Sequence, residues 1–214
     1  MDVPRLHLVT PATADAEVVR TTRVALAAGA PLVQVRCKGA TDRHRYDHAE
    51  RVRGLCAAVG AMCLVNDRVD LALAVAADGV HVGDEDLPVA VARRLLGARV
   101  VGATCRDPEG ARRAVDAGAT YLGVGPAYAT TTKVGLPDAL GPRGIEAVAS
   151  AVAVPVIAIA GVTVARVPEL LAAGAWGVAV VAAVYAAANP AAAVTAFLDA
   201  IGDGAPAGSR GPGS

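Results

Sequence analysis

Aromatic side chains are scarce in this chain of 214 residues: one Trp, one Phe and four Tyr make up 3% of it. A protein that binds nucleic acid uses aromatic platforms and a basic surplus, and here 20 Lys and Arg are balanced by 20 Asp and Glu. Nucleic acid is therefore not an expected partner. Long apolar runs are missing as well. The most extended, Val152 to Val162 and Gly177 to Ala188, are broken by Pro155 and closed by Asn189 and Pro190, short of the roughly 20 residues a membrane span needs. Cys37, Cys56, Cys63 and Cys105 form neither a CxxC pair nor a regular framework, which argues against structural zinc and for reduced thiols. Met1 to Thr10 contains Asp2, Pro4, Arg5 and His7 and no apolar signal-peptide core, so a cytoplasmic location is expected.

What the chain has in abundance is small and aliphatic residues. Hydrophobic residues make up 54% of it and its mean hydropathy is +0.46, enough for one large core. A short punctuation mark recurs at Ala28-Gly29-Ala30, Val59-Gly60-Ala61, Ala77-Asp78-Gly79, Leu96-Gly97-Ala98, Ala117-Gly118-Ala119 and Ala173-Gly174-Ala175. Each reads as a helix stop followed by a strand. The segments between carry helical periodicity over Asp15 to Ala28, Asp42 to Ala58, Pro88 to Leu96, Pro108 to Ala117 and Val164 to Ala173. Strands are predicted at Leu6 to Thr10, Leu32 to Arg36, Met62 to Val65, Gly79 to Val82, Val100 to Thr104, Tyr121 to Gly125, Val156 to Ala160 and Gly177 to Val181. Eight βα units of this kind close into a (β/α)8 TIM barrel, an α/β single domain over residues 1–201, with 202–214 a flexible Gly, Pro and Ser tail. An open doubly wound sheet is the competitor, but no glycine-rich nucleotide fingerprint follows the first strand.

In a barrel, functional groups belong at the carboxyl ends of the strands, and polar residues collect there. Gln34, Arg36 and Lys38 are two apart, so in a strand all three leave one face. Two cations side by side call for a phosphate or pyrophosphate, or else mark a solvated edge strand. After strand three come Asn66 and Asp67, and after strand four His81-Val82-Gly83-Asp84-Glu85-Asp86. Asp67 and Asp86 would then suit an octahedral Mg²⁺ that also takes phosphate oxygens and water; as isolated residues, Asn66 and Asp67 equally read as helix caps. Thr104 ends strand five and offers a hydroxyl to a leaving group or to the next helix. Strand six runs into a long loop, Gly125 to Lys133 and beyond, whose Thr130, Thr132 and Lys133 fit a phosphate ester or belong to a disordered stretch. Strands seven and eight end in Ala160-Gly161 and Val181-Ala182, where backbone amides and a short helix near Ala182 could grip phosphate or the small residues could merely pack. His44 and His48, one turn apart without an HExxH pattern, read as a solvated helix face, and Cys37 as inert packing.

The combination of QxRxK at Gln34, Arg36 and Lys38, ND at Asn66 and Asp67, HxGxxD ending in Asp86, and GPxxxTxTK from Gly125 to Lys133 resembles the thiamine phosphate synthase family, over about Leu6 to Ile201. The resemblance implies a Mg²⁺-dependent transferase that joins a hydroxymethylpyrimidine diphosphate to a thiazole phosphate and releases pyrophosphate. It implies a clamp of Arg36, Lys38, Lys133 and Mg²⁺ on Asp67 and Asp86, with Thr104 near the leaving group. Gln34 and Asn66 would hold the pyrimidine diphosphate, and Thr130, Thr132, Gly161, Val181 and Ala182 the thiazole phosphate. Five positions depart from the family's usual residues: Cys37 for an acid, Asp84 for a glutamine, Arg106 for a histidine, Ala160 for a glycine and Ala182 for a serine. Competing readings are a thiazole tautomerase-like isomerase, which uses a histidine near the end of strand five, and a catalytically silent phosphate-binding barrel. Small-molecule partners are expected, and a homo-oligomer stays open.

Overall fold

The structure, a computed structural model, describes residues 3–130, 135 and 137–203. Eight strands alternate with helices: β1 (Leu6–Val9), α1 (Ala16–Ala27), β2 (Leu32–Val35), α2 (Asp42–Val59), β3 (Met62–Asn66), α3 (Val69–Ala74), β4 (Gly79–Val82), α4 (Val89–Leu96), β5 (Val100–Cys105), α5 (Pro108–Asp116), β6 (Tyr121–Val124), α6 (Gly141–Ala149), β7 (Val156–Ile159), α7 (Val167–Ala172), β8 (Gly177–Val180), α8 (Ala182–Tyr185) and α9 (Pro190–Asp203). The strands pair in chain order into a closed barrel, and every pairing is parallel, including β1 with β8. The (β/α)8 barrel expected from the sequence is the fold observed.

The punctuation marks act as helix stops. Gly60 ends α2 in the left-handed conformation at φ 73°, where its amide caps the Ala57 and Cys56 carbonyls. Starts are set by side chains: Asp15 accepts from the Val18 amide at 2.9 Å and Asp107 from the Gly110 amide at 2.7 Å. Strand limits shift by a residue or so. β2 stops at Val35 because the Arg36 amide donates to the Thr10 hydroxyl, at 2.8 Å, in place of a sheet carbonyl. Strand alternation therefore governs Gln34 alone of the basic triplet; Arg36 and Lys38 lie in the loop, anchored by the Lys38 amide on the Ala12 carbonyl at 2.9 Å. The segment predicted as one helix over Val164 to Ala173 divides into a 3-10 turn at Val164–Arg166 and α7, with Pro168 in the first turn. α9 continues to Asp203, two residues past the predicted domain limit; the rest of the predicted tail, with Thr132 and Lys133, lies outside the described residues.

Packing forms two shells. Leu8, Val33, Val65, Val80, Val101, Leu122, Ala158 and Val178 face outward against the helices, while Val9, Leu32, Leu64, Val100, Tyr121, Ile157 and Ala179 fill the barrel. The interior is unusual in its polar content: His7, Gln34, His81 and Tyr121 are all buried. Tyr121 fits because its β5 neighbour in register is Gly102. A Cβ at Gly102 would stand 2.2 Å from the Tyr121 ring, and a fully enclosed ring cannot swing aside. Gly102→Ala should therefore destabilise the fold by about 3 kcal/mol or more, measured as a lowered urea midpoint; a change under about 1 kcal/mol would show that the ring is not fixed by this contact.

Candidate active site

At the carboxyl ends of the strands, three of the expected groups meet. Lys38 forms an ion pair with Asp67, and the Asp67 carboxyl is raised above the ordinary range by burial and by the neighbouring Asp86 carboxylate, although Lys38 pulls it down. Asp67 stands at φ 66°, a conformation that Asp tolerates better than most residues, and its amide is held by the His81 carbonyl at 2.7 Å. Asp86 is set by the turn after β4, its Oδ2 accepting from the Gly83 amide at 2.7 Å. Two carboxylates are thus pressed together beside one ammonium. Among the described residues no cluster of three or more His, Cys, Asp or Glu side chains could hold a metal. The donor set fits a hard cation that draws its remaining ligands from water and phosphate, as Mg²⁺ does, and does not fit a closed zinc or calcium cage.

Arg36 and Asn66 are half-buried at the same rim. Among the described residues neither the Arg36 guanidinium nor the Asn66 amide has a hydrogen-bond partner. Below them lies a string of interior polar groups. Gln34 Nε2 donates to the Tyr121 hydroxyl at 3.5 Å, that hydroxyl is 2.9 Å from His81 Nδ1, and His81 Nε2 is 3.0 Å from Thr104 Oγ1. His7 packs edge-on against the Tyr121 ring, centroids 5.0 Å apart. Burial holds both imidazoles neutral, lowering His7 to about 3 and His81 to about 4.

The β6–α6 loop is braced at both ends. Arg106 donates to the Gly125 carbonyl at 3.0 Å and to the Asp138 carbonyl at 2.9 Å, tying the start of the loop to its end. Tyr128 donates to Glu169, its ring lies under the Arg166 guanidinium at 4.1 Å, and Arg166 donates to the Gly161 carbonyl at 2.6 Å. Burial and the Glu169 carboxylate push the Tyr128 phenol up to about 12. Gly161, at φ 67°, lets the β7 loop pass beneath this one: a Cβ there would stand 2.7 Å from both Tyr128 Cβ and the Ala129 carbonyl oxygen. Thr130 is half-buried in the described part of the loop. Val181 leads into α8, which begins at Ala182 without a side-chain cap and is tied to α1 by Tyr185 on Thr22 at 2.8 Å.

The structure thus brings Lys38, Asp67 and Asp86 into contact, sets Arg36, Asn66 and Thr104 around them, and leaves Gln34 deeper, against Tyr121. Sequence reasoning missed Tyr121, Arg106 as a brace, and the Tyr128, Arg166 and Glu169 cluster. Only Tyr121 left a signal, an aromatic at an inward strand position beside Gly102. The solvated face expected for His44 and His48 is corrected: His44 bonds the Ala14 carbonyl at 3.0 Å, but His48 is only 3% exposed, on the α2 face that also buries Ala49 and Val52. Cys37 is half-buried with its thiol raised by burial, as an unreactive cysteine requires. A separate cleft of about 320 Å³ at the opposite end of the barrel is lined by Val152, Val154, Pro155 and Trp176. Its one charged group, Arg5, already donates to the Trp176 and Ile201 carbonyls, so that cleft lacks the convergent polar groups of a reaction site.

Ala160 stands at φ 76°, which costs an L-residue about 1–2 kcal/mol, whereas glycine loses about 0.5–1 kcal/mol in unfolded-state entropy. Relief of strain outweighs the entropy, so Ala160→Gly should stabilise the fold by up to about 1 kcal/mol, read as a higher urea midpoint. The buried histidines set the pH dependence. Unfolded, they take up protons below about 6.5; folded, they refuse them until about 4 and about 3. Stability is therefore full above pH 6.5 and is lost as pH falls toward 4, at up to about 1.4 kcal/mol per pH unit for each histidine. Asp67, with a raised carboxyl, works in the opposite direction as one group against three, since burial lowers His48 as well. Urea titrations at pH 7.5 and 5.0 should show the lower midpoint at pH 5.0.

Comparison with known proteins agrees with this geometry. The family model described as thiamine monophosphate synthase matches residues 6–184. The chain is 55% identical to the thiamine-phosphate synthase of Salinispora arenicola over 201 residues, covering 92% of this chain and 97% of that one. It is 54% identical to the thiamine-phosphate synthase of Salinispora tropica over the same shares. Among solved structures, thiamine phosphate pyrophosphorylase from Pyrococcus furiosus superposes with a TM-score of 0.86 at 33% identity, covering 94% of this chain and 97% of that chain. With its barrel closed, its paired carboxylates beside Lys38 and its match running from β1 into α8, the chain belongs to the thiamine monophosphate synthase family.

Proposed function

We propose that this protein condenses a hydroxymethylpyrimidine diphosphate with a thiazole phosphate, releasing pyrophosphate and forming thiamine phosphate, with Mg²⁺ as cofactor. The observation that carries the reading is the meeting of Lys38, Asp67 and Asp86 at the barrel mouth. A lysine beside two carboxylates that would hold a divalent cation suits a departing polyanion better than proton transfer, because the two positive charges would stabilise negative charge that grows as the bond breaks. Mg²⁺ on Asp67 and Asp86 would neutralise the leaving pyrophosphate.

In this reading the C–O bond to pyrophosphate breaks first, both bonding electrons leaving with the phosphate. The resulting pyrimidine methylene cation is stabilised by the ring's amino group, and the thiazole nitrogen supplies the electron pair for the new C–N bond. Arg36, Lys38 and Lys133 bind the departing charge, Gln34 and Asn66 orient the pyrimidine diphosphate, and Thr104 bonds a leaving-group oxygen. Thr130, Thr132, Gly161 and the Val181 and Ala182 amides hold the thiazole phosphate. No strong general base is required, in keeping with His81 being buried and neutral. An isomerase would need an acid or base where β5 ends, and there Arg106 is occupied by the Gly125 and Asp138 carbonyls.

Purified protein given both substrates and Mg²⁺ should release pyrophosphate and form thiamine phosphate; no product at millimolar substrate would sink the reading. Asp86→Asn keeps an acceptor for the Gly83 amide, and Lys133→Ala removes a cation from the leaving group. Each should lower kcat by roughly 100-fold or more with the melting temperature little changed, and full turnover in either would remove that residue's assignment.

A further inference from the structure

The motif His81-Val82-Gly83-Asp84-Glu85-Asp86 contributes Asp86 to the mouth, but the reaction above gives His81 no task. Yet His81 is held as firmly as any group in the barrel. Its ring lies between two hydroxyls, Tyr121 at 2.9 Å from Nδ1 and Thr104 at 3.0 Å from Nε2. Gly123 in the next strand but one leaves the space for it, since a Cβ there would stand 2.8 Å from His81 Cε1.

We propose that His81 is a positioning residue whose proton on Nε2 fixes the Thr104 hydroxyl as a hydrogen-bond donor toward the departing pyrophosphate. The assignment rests on the synthase reading for the identity of the anion, and on hydrogen-bond polarity for the rest. Gln34 Nε2 donates to the Tyr121 oxygen, and among the described residues the acceptor within reach of the buried phenol's own proton is His81 Nδ1. A neutral imidazole that accepts at Nδ1 carries its proton on Nε2, so Nε2 donates and Thr104 Oγ1 accepts. The Thr104 proton is then turned away from the ring. Thr104 Oγ1 faces the same small space over Gly83 as Asp86 Oδ2: a Cβ on Gly83 would be 3.9 Å from the one and 3.1 Å from the other. With the opposite polarity Thr104 would donate to His81 and present lone pairs to the carboxylates and the leaving anion, a repulsive arrangement.

Two measurements test this. The chain has four histidines, so ¹⁵N-histidine labelling of the full-length protein without substrates resolves each ring, with His81→Gln identifying the His81 signals. The expected spectrum has a pyridine-like Nδ1 and a pyrrole-like Nε2 for His81, and Tyr121→Phe, which removes the donor to Nδ1, shifts that balance. A pyrrole-like Nδ1 in the wild-type protein overturns the proposal whether or not the protein makes thiamine phosphate, while absence of wild-type product bears on the synthase reading alone. The second measurement is a cycle of His81→Gln and Thr104→Val in the pyrophosphate-release assay. Each single change should lower kcat by about 10- to 100-fold with KM little altered, and the double variant should be no slower than Thr104→Val. Losses that multiply would show that His81 does not act through Thr104 and would overturn the proposal.

Discussion

The Tyr121 hydroxyl joins the packing of this barrel to its chemistry. A small parallel barrel must fill its own interior with side chains, and here the largest fully buried side chain among the described residues is a tyrosine lodged against Gly102. A buried phenol costs free energy unless its polar tip is bonded, and the partners within reach are Gln34 and His81. Filling the barrel with an aromatic ring therefore obliges a polar string above it, and that string ends at Thr104, on the rim at the carboxyl ends of the strands. Gly102 and Gly123 leave the space that two rigid rings occupy, so the same glycines that permit the packing also hold the site groups in place.

Above the string, the mouth is arranged against its own stability. Asp67 adopts a left-handed backbone and crowds its carboxylate against Asp86, and Lys38 offsets only part of that cost, since the Asp67 carboxyl is still raised. Such an arrangement persists because the surroundings over-determine it: the Asp67 amide is fixed by the His81 carbonyl, and Asp86 by the Gly83 amide. Crowded anions that are unfavourable alone would become favourable on holding a cation, the part proposed for Mg²⁺. The rim loops show the same division of labour, with Arg106 closing the base of one loop and the Tyr128, Arg166 and Glu169 cluster fastening it to the β7 side.

Much of this was legible in the sequence, for definite reasons. Strands covered on both faces are near-continuous apolar runs, and glycine at helix ends marks where each begins, so the eight strands and their closure could be read. Groups at strand ends sit beside one another in a barrel whatever their sequence separation, which is why Lys38, Asp67 and Asp86 could be brought together on paper. Other features were hidden. α3 is six residues long, too short to show a helical period, and α6 opens on Gly141 and Pro142 after a loop rich in Gly and Pro, so its start reads as more loop. The end of β2 depended on the Thr10 hydroxyl, a contact 26 residues away in the chain. Arg106 read as a departure at the substrate and proved to be occupied with backbone carbonyls, which no local pattern encodes.

The departures from the family's usual residues fall around the polar string rather than in it. Ala160 strains the backbone beside Gly161, Ala182 opens α8 without a hydroxyl, Arg106 braces a loop, and Asp84 is exposed within the turn that sets Asp86. Each sits on a surface that can relax, so a change there alters local strain or a single contact. Gln34, Tyr121, His81 and Thr104 have no such latitude. They share protons in one direction within a closed barrel, and replacing any of them leaves a buried donor or acceptor without its partner. Tolerance in this fold is therefore set by whether a residue's hydrogen bonds can be taken over by water, and the rim is wet where the string is dry.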